Sequence, residues 1–193
     1  MKGFEEIVHI VPLGHEVDRA VKPFEKFKAN RVHILVIPES EKYRRNMVDK
    51  QEHFLAVVSK KLEEKGIEVQ CRNVDLFDML QVMKSVSEII LSEKSKGNIV
   101  YVNMSAAGRL TSVGATLASM VHGAKVYYVV ADRYSEKEEE ETQHGLSICE
   151  TPKVTFLENF QLKLPDEAGL TVLVHLCQKE KGLKTKEILD VLR

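Results

Sequence analysis

Five short, strand-sized runs recur between residues 6 and 132: EIVHIVPLG (6–14), RVHILVIPE (31–39), IEVQCRNVD (67–75), NIVYVNMSA (98–106) and AKVYYVVAD (124–132). Between them lie stretches with helical spacing. Apolar, β-branched runs of this length are strands buried on both faces, and the intervening amphipathic stretches are the helices that cover them. The spacing predicts helices over 18–30, where Val21, Phe24 and Phe27 share a face, over 42–66, over about 77–96, and over 109–123. Pro23 is tolerated near the start of the first, and Gly66 and Gly97 stop the second and third. Strands alternating with helices predict an α/β fold, a Rossmann-like parallel sheet sandwiched by helices. The right-handed crossover rule leaves few strand orders, of which 3-2-1-4-5 is the commonest.

The pattern changes after residue 132. RYSEKEEEETQHGLSICET (133–151) is an acidic run, expected to be a solvated loop or frayed helix, with an interaction tail as the alternative. Residues 152–165 form an extended connector or edge strand. DEAGLTVLVHLCQKEKG (166–182) and KTKEILDVLR (184–193) read as two short amphipathic helices with Asp166 and Thr185 as N-caps. LKTKEILDVL has the look of the first half of a helix-turn-helix, and the recognition helix expected after it is not in this sequence. The expected layout is a Rossmann-like domain at 1–151, a connector at 152–165, and at 166–193 the start of a winged helix-turn-helix, truncated from a longer protein.

A length of 193 residues holds one well-cored domain and a small appendage. No apolar run approaches the roughly 20 residues that span a bilayer, and MKGFEEIVHI carries acidic residues where a signal peptide has its apolar core. The expectation is a cytoplasmic protein without a membrane partner. Cys71, Cys149 and Cys177 lie in separate elements without metal spacing and read as reduced thiols. A net charge of -1 means that an anionic partner must be held by a local positive patch.

In the order 3-2-1-4-5, ligands bind outside the carboxyl ends of strands 1 and 4. The loops there are PLGHEVDR (12–19) and NMSAAGRLTS (103–112). The candidate ligand-binding residues are therefore Leu13, Gly14, His15, Glu16, Asp18 and Arg19 on one loop. Asn103, Met104, Ser105, Ala106, Ala107, Gly108, Arg109, Thr111 and Ser112 are those on the other. The small residues let a ligand approach the backbone, while the free N–H groups of a helix start face it with the positive end of the helix dipole. Arg109 adds a planar donor fork suited to phosphate. Close packing of helix on sheet would also place glycine here, and Asp18 could simply cap the first helix. His9 and His33 sit inside strands and read as core or sheet-face residues. His53, His122, His144 and His175 are scattered without metal spacing. Neither a GxGxxG after the first strand nor a Walker loop is present, no cofactor is expected, and any catalysis would rely on a positioned hydroxyl.

IVHIVPLGHEVDRAVKPF together with VYVNMSAAGRLTSVGATLA resembles the CRISPR-associated Rossmann fold domain, especially archaeal regulators that join this domain to a C-terminal winged helix. The resemblance runs from about residue 5 to the end. Asn103, Ser105 and Arg109 fit the family's N-x-[ST]-x-G-x-[KR]-like loop, with Gly108 displaced by one position and Ala106 and Ala107 where glycine is common. The resemblance implies that the two loops bind a cyclic oligoadenylate across a homodimer two-fold axis, and that the full-length winged helix binds DNA. An even-sized ring can share that two-fold symmetry. It also implies that some such domains cleave the ring through a ribose 2'-hydroxyl, for which Ser105, Thr111 and Arg109 are the candidates. The expected function is a ligand-sensing transcription regulator, dimeric near Val113, Leu117 and Met120. The alternatives are a ring nuclease or a sensor of another nucleotide.

Overall fold

A computed structural model describes residues 5–158, 165–179, 182 and 184–191. Residues 1–161 and 162–193 are two compact units.

In the first unit β1 (Ile7–Pro12), β2 (Arg31–Val36), β3 (Glu68–Asn73), β4 (Ile99–Asn103) and β5 (Lys125–Val130) are joined through α1 (Asp18–Val21), α2 (Arg45–Glu63), α3 (Met79–Ser95) and α4 (Arg109–His122). The strand order is β3-β2-β1-β4-β5, followed by β8 (Lys153–Phe156). The first five strands are parallel, as expected for βαβ units, and β8 closes the edge antiparallel to β5, pairing Val129 with Val154. The segment expected as connector or edge strand thus supplies a sixth strand.

Alternation along each central strand feeds two cores. Ile10, Leu35, Val100 and Val102 pack with Val82, Val86 and Ile90 of α3 and Ala115 and Ala118 of α4. Val11, Val32 and Ile34 face the other way, onto Phe54, Val58 and Leu62 of α2. Both sheet faces are covered, as a parallel sheet requires. Gly114 permits the close approach of α4 to α3, since a Cβ there would stand 2.8 Å from the Met79 carbonyl oxygen. The edge strand β3 is more polar, and its Arg72 pairs with Glu88 of α3 at 2.9 Å.

The first helix departs from expectation. The spacing predicts helix over 18–30, but α1 has four residues and runs into a 3₁₀ turn, Lys22–Glu25. Pro23 has no N–H to continue an i→i−4 ladder, and the chain tightens instead. The acidic segment holds a solvated helix, one of the two forms expected of it, but short strands flank that helix and order it. β6 (Arg133–Tyr134), α5 (Glu138–His144) and β7 (Ser147–Ile148) form a two-stranded flap in which Arg133 pairs with Ile148.

In the second unit α6 (Glu167–Gln178) and α7 (Thr185–Val191) form a short helix pair. Asp166 caps α6, its carboxylate accepting from the Gly169 N–H at 2.8 Å, and Lys179 pairs with Glu187 at 3.0 Å. α7 begins at Thr185 itself, and the Lys184 N–H is taken by the Glu187 carboxylate at 2.8 Å. The parts of the expected connector at 159–164, and of the expected helix-turn-helix at 180, 181, 183, 192 and 193, lie outside the described residues. Among the described residues no helix is long and apolar enough to cross a membrane.

Candidate functional site

The loops after β1 and β4 meet at the carboxyl edge of the sheet. The Gly14 N–H donates to the Ala106 carbonyl at 2.7 Å, and a Cβ on Gly14 would stand 3.3 Å from that oxygen. Glycine is what lets the loops touch. Asn103, fully buried at the end of β4, fastens them: its Nδ2 donates to the Arg19 carbonyl at 2.8 Å, and its Oδ1 accepts from the Ser105 N–H and Oγ–H. The Ser105 Oγ in turn accepts from the Val129 N–H at 3.0 Å. Thr111 Oγ1 donates to the Leu76 carbonyl, and Ser112 Oγ to the Met104 carbonyl at 2.6 Å. Of the polar residues expected on this loop, Asn103, Ser105, Thr111 and Ser112 therefore turn inward and hold its shape. Leu13 is buried and Met104 is half-buried beside Thr116.

The open side keeps the backbone of Ala106, Ala107 and Gly108, the first turn of α4, and Arg109. Gly108 is the N-cap of α4 and has no side chain to offer, and the first turn contains no acidic residue. The neighbouring α3 is capped by Asp78, whose carboxylate accepts from Leu80 at 2.9 Å and Gln81 at 3.2 Å. Arg109 is exposed, and its side chain makes no hydrogen bond or ion pair among the described residues. Glu16 and Asp18, the carboxylates that could have paired with it, are committed elsewhere.

Those two acids, with Arg19, brace the flap. Glu16 accepts from the Ser147 N–H at 3.1 Å and Oγ–H at 2.7 Å and pairs with Arg19 at 3.3 Å. Burial pushes its carboxyl above the ordinary range, against the Ser147 hydrogen bonds and Arg19. Asp18 is not a helix cap: its carboxylate accepts from the Cys149 N–H at 2.9 Å and faces His144 Nδ1 at 3.1 Å. Arg19 also donates to the Tyr128 hydroxyl at 3.0 Å. The backbone joins in, with Val17 N–H on the His144 carbonyl and Leu146 N–H on the His15 carbonyl at 2.8 Å. Gly145, at φ 81°, lies so close that a Cβ would be 2.6 Å from Glu16 Cα. The His15 ring stacks on Phe54 at 5.3 Å, and burial first, then Lys50, lowers its pKa.

A cavity of about 460 Å³ opens between the loops, and Gly14, His15, Glu16, Ala106, Ala107, Gly108, Arg109 and Thr111 reach its wall. Sequence reasoning missed the rest of the wall: Ile37, Met47, Gln51, Leu76, Phe77, Leu110 and Leu146. Ile37 and Leu76 stand just past the carboxyl ends of β2 and β3, so an apolar residue late in the second run and another directly after the third were the available signal. Met47, Gln51 and Leu146 arrive from α2 and the flap and left no such trace. The arrangement offers a largely apolar cavity beside a cationic, donor-rich rim for an anion.

Residues 7–134 match the protein family described as HFX_2341_N:-like, N-terminal. The chain belongs to this family. A relative, the uncharacterized protein MJ1513 of Methanocaldococcus jannaschii, is 28% identical over 203 residues, covering 94% of this chain and 59% of that protein. The chain thus spans about three-fifths of that relative's length. Among solved structures, Can2 from Sulfobacillus thermosulfidooxidans in complex with cyclic tetra-adenylate superposes with a TM-score of 0.51 at 16% identity, covering 65% of this chain and 32% of that one. Enterococcus italicus Csm6 bound to cyclic hexa-2'-fluoro-hexa-dAMP gives 0.53 at 12% identity over 72% of this chain and 37% of that one. A type III CRISPR defence DNA nuclease activated by cyclic oligoadenylate gives 0.53 at 16% identity over 69% of this chain and 20% of that one. At these identities the likeness is one of fold, a Rossmann-like, mostly parallel sheet flanked by helices.

Proposed function

We propose that this chain is the sensing part of a cytoplasmic transcription regulator that holds a cyclic oligoadenylate at its β1 and β4 loops across a homodimer. The observation that carries the reading is Arg109. A cation at the positive end of a helix dipole is unfavourable for the helix, and this one has no partner among the described residues. A phosphodiester would satisfy both the guanidinium and the uncapped amides of α4. The whole molecule, at net charge -1, supplies no general attraction for a polyanion, so the local patch must do so. Three solved structures of the same fold hold, or are activated by, cyclic oligonucleotides of this class. In this reading residues 1–151 sense, 152–165 connect, and 166–193 begin a winged helix through which the full-length archaeal regulator binds DNA.

Calorimetric titration with cyclic tetra-adenylate tests it. Arg109→Ala removes a charge-assisted hydrogen bond of about 1.5–3 kcal/mol, so affinity is expected to fall roughly tenfold to a hundredfold. The melting curve should not move, since the position is exposed. Equal affinities would overturn the role given to this loop. A stronger thermal shift with a mononucleotide than with any ring would redirect the site to another nucleotide. Linear products in the same mixture would favour a ring nuclease, whose expected hydroxyls, Ser105 and Thr111, are bonded to Asn103 and to the Leu76 carbonyl.

A further inference from the structure

Gln51 occupies an apolar position on α2, in line with Phe54, Val58 and Leu62, and is 5% exposed. Its amide nitrogen donates to the Leu13 carbonyl at 2.8 Å and lies 3.5 Å from the Gly14 carbonyl. Both of those atoms are acceptors only, so the amide can face them only with its NH2 group, and its orientation is fixed. The carbonyl oxygen Oε1 is thereby turned to the other side. It has no hydrogen-bond partner among the described residues, and Gln51 lines the cavity. Oε1 is not among the buried polar atoms that lack a partner, so it is open to the cavity, where water meets it, and the neighbouring side chains of Ile37, Met47, Leu76 and Phe77 have no N–H or O–H group to offer. A ligand N–H that displaces this water supplies a donor that the wall beside it does not.

We infer that Gln51 Oε1 reads the exocyclic amine of an adenine seated in this apolar chamber. The inference rests on the proposed cyclic oligoadenylate function and adds the element that selects its base. The chamber has room for a base, and the exposed Phe77 in its wall offers an aromatic surface. An acceptor held at this place in the apolar wall favours an N–H on the ring edge. Adenine supplies one through its 6-amino group, and purine, which lacks only that group, does not. A base without that group displaces the water and leaves the acceptor unpaired, and the site discriminates against it on that account.

The test is calorimetric titration of the full chain with cyclic tetra-adenylate and with the same ring built from purine riboside. Wild type is expected to bind the adenine ring about tenfold or more tightly than the purine ring. Gln51→Met, close in size but without the acceptor, is expected to bring the two affinities together. A role of Gln51 only in holding Leu13 would weaken both rings in Gln51→Met and leave their ratio as in wild type, which would overturn the proposal. Equal binding of both rings by wild type would do the same while leaving the cyclic-oligonucleotide function standing. Arg109→Ala, in contrast, should weaken both rings alike. Binding of neither ring by wild type would remove the proposed function, and the Gln51 assignment with it.

Discussion

His9 shows what burial does to a single titratable group. It is 2% exposed in β1, stacked on Tyr101 at 4.9 Å, with Nδ1 at 3.1 Å from the Tyr127 hydroxyl. Desolvation drives its pKa from 6.5 down to about 4. The folded ring therefore holds its proton less well than the unfolded one, and between these two values the unfolded state binds more protons. Its contribution is fully present above about pH 6.5 and is lost as pH falls towards 4, at most about 3 kcal/mol by the linkage of pKa to stability. Urea unfolding midpoints should drop between pH 7 and pH 4.5, and His9→Phe should flatten that slope while leaving an aromatic ring in place. An unchanged slope in the variant would refute this. Burial inside a strand could be read from the sequence at His9, and so could Arg109, because its charge conflicts with its place on a helix. The roles of Ser105, Thr111 and Ser112 could not. A hydroxyl has the same sequence signature whether it faces a ligand or a backbone carbonyl, and here all three face inward.

Among the elements, those held by apolar periodicity were the ones readable in advance. α2, α3, α4 and the five parallel strands fall within a few residues of their expected spans, because each buries a repeating face. The flap of β6, α5 and β7 buries almost none. EKEEEETQH has no apolar repeat, and what orders the segment is a set of backbone bonds and buried polar contacts to Glu16, Val17 and Asp18, which have no period. Gly145 is the pivot of that docking. In Gly145→Ala the methyl group would meet Glu16 Cα and Val17 N at 2.6 Å in a backbone at φ 81°, where L side chains are strained. Stability is expected to fall by about 2–3 kcal/mol. The loss should be local first, so that the amides of Val17 and Leu146, which bond into the flap, exchange faster than those of β1 and β4. Exchange rates that rise uniformly across the sheet would show that the flap is not a separate unit.

The first unit leaves large apolar side chains uncovered on α3 and α4. On α3 Leu80 and Leu91 are 69% and 54% exposed, and on α4 Leu110 and Val113 are 57% and 47% exposed. Leu117 and Met120 continue the α4 row half-buried. The opposite side of α4, where Gly114, Ala115 and Ala118 lie, is already spent on α3 and the sheet. A row of large apolar side chains open to water on adjacent helices marks a surface for association. In the proposed homodimer a second copy covers it, and the two α4 starts come to the same ring with one Arg109 each. Val113→Glu puts a charge in the middle of that row at a position whose exposure lets the monomer fold unchanged. Sedimentation at micromolar concentration should show a dimer for the wild type and a monomer for Val113→Glu, with closely similar melting curves. Affinity for cyclic tetra-adenylate should fall with the dimer, because a single copy offers half of the anion contacts. A wild type that stays monomeric with and without the ring would remove the two-fold from the site, and a Val113→Glu variant that remains dimeric would move the interface off α4.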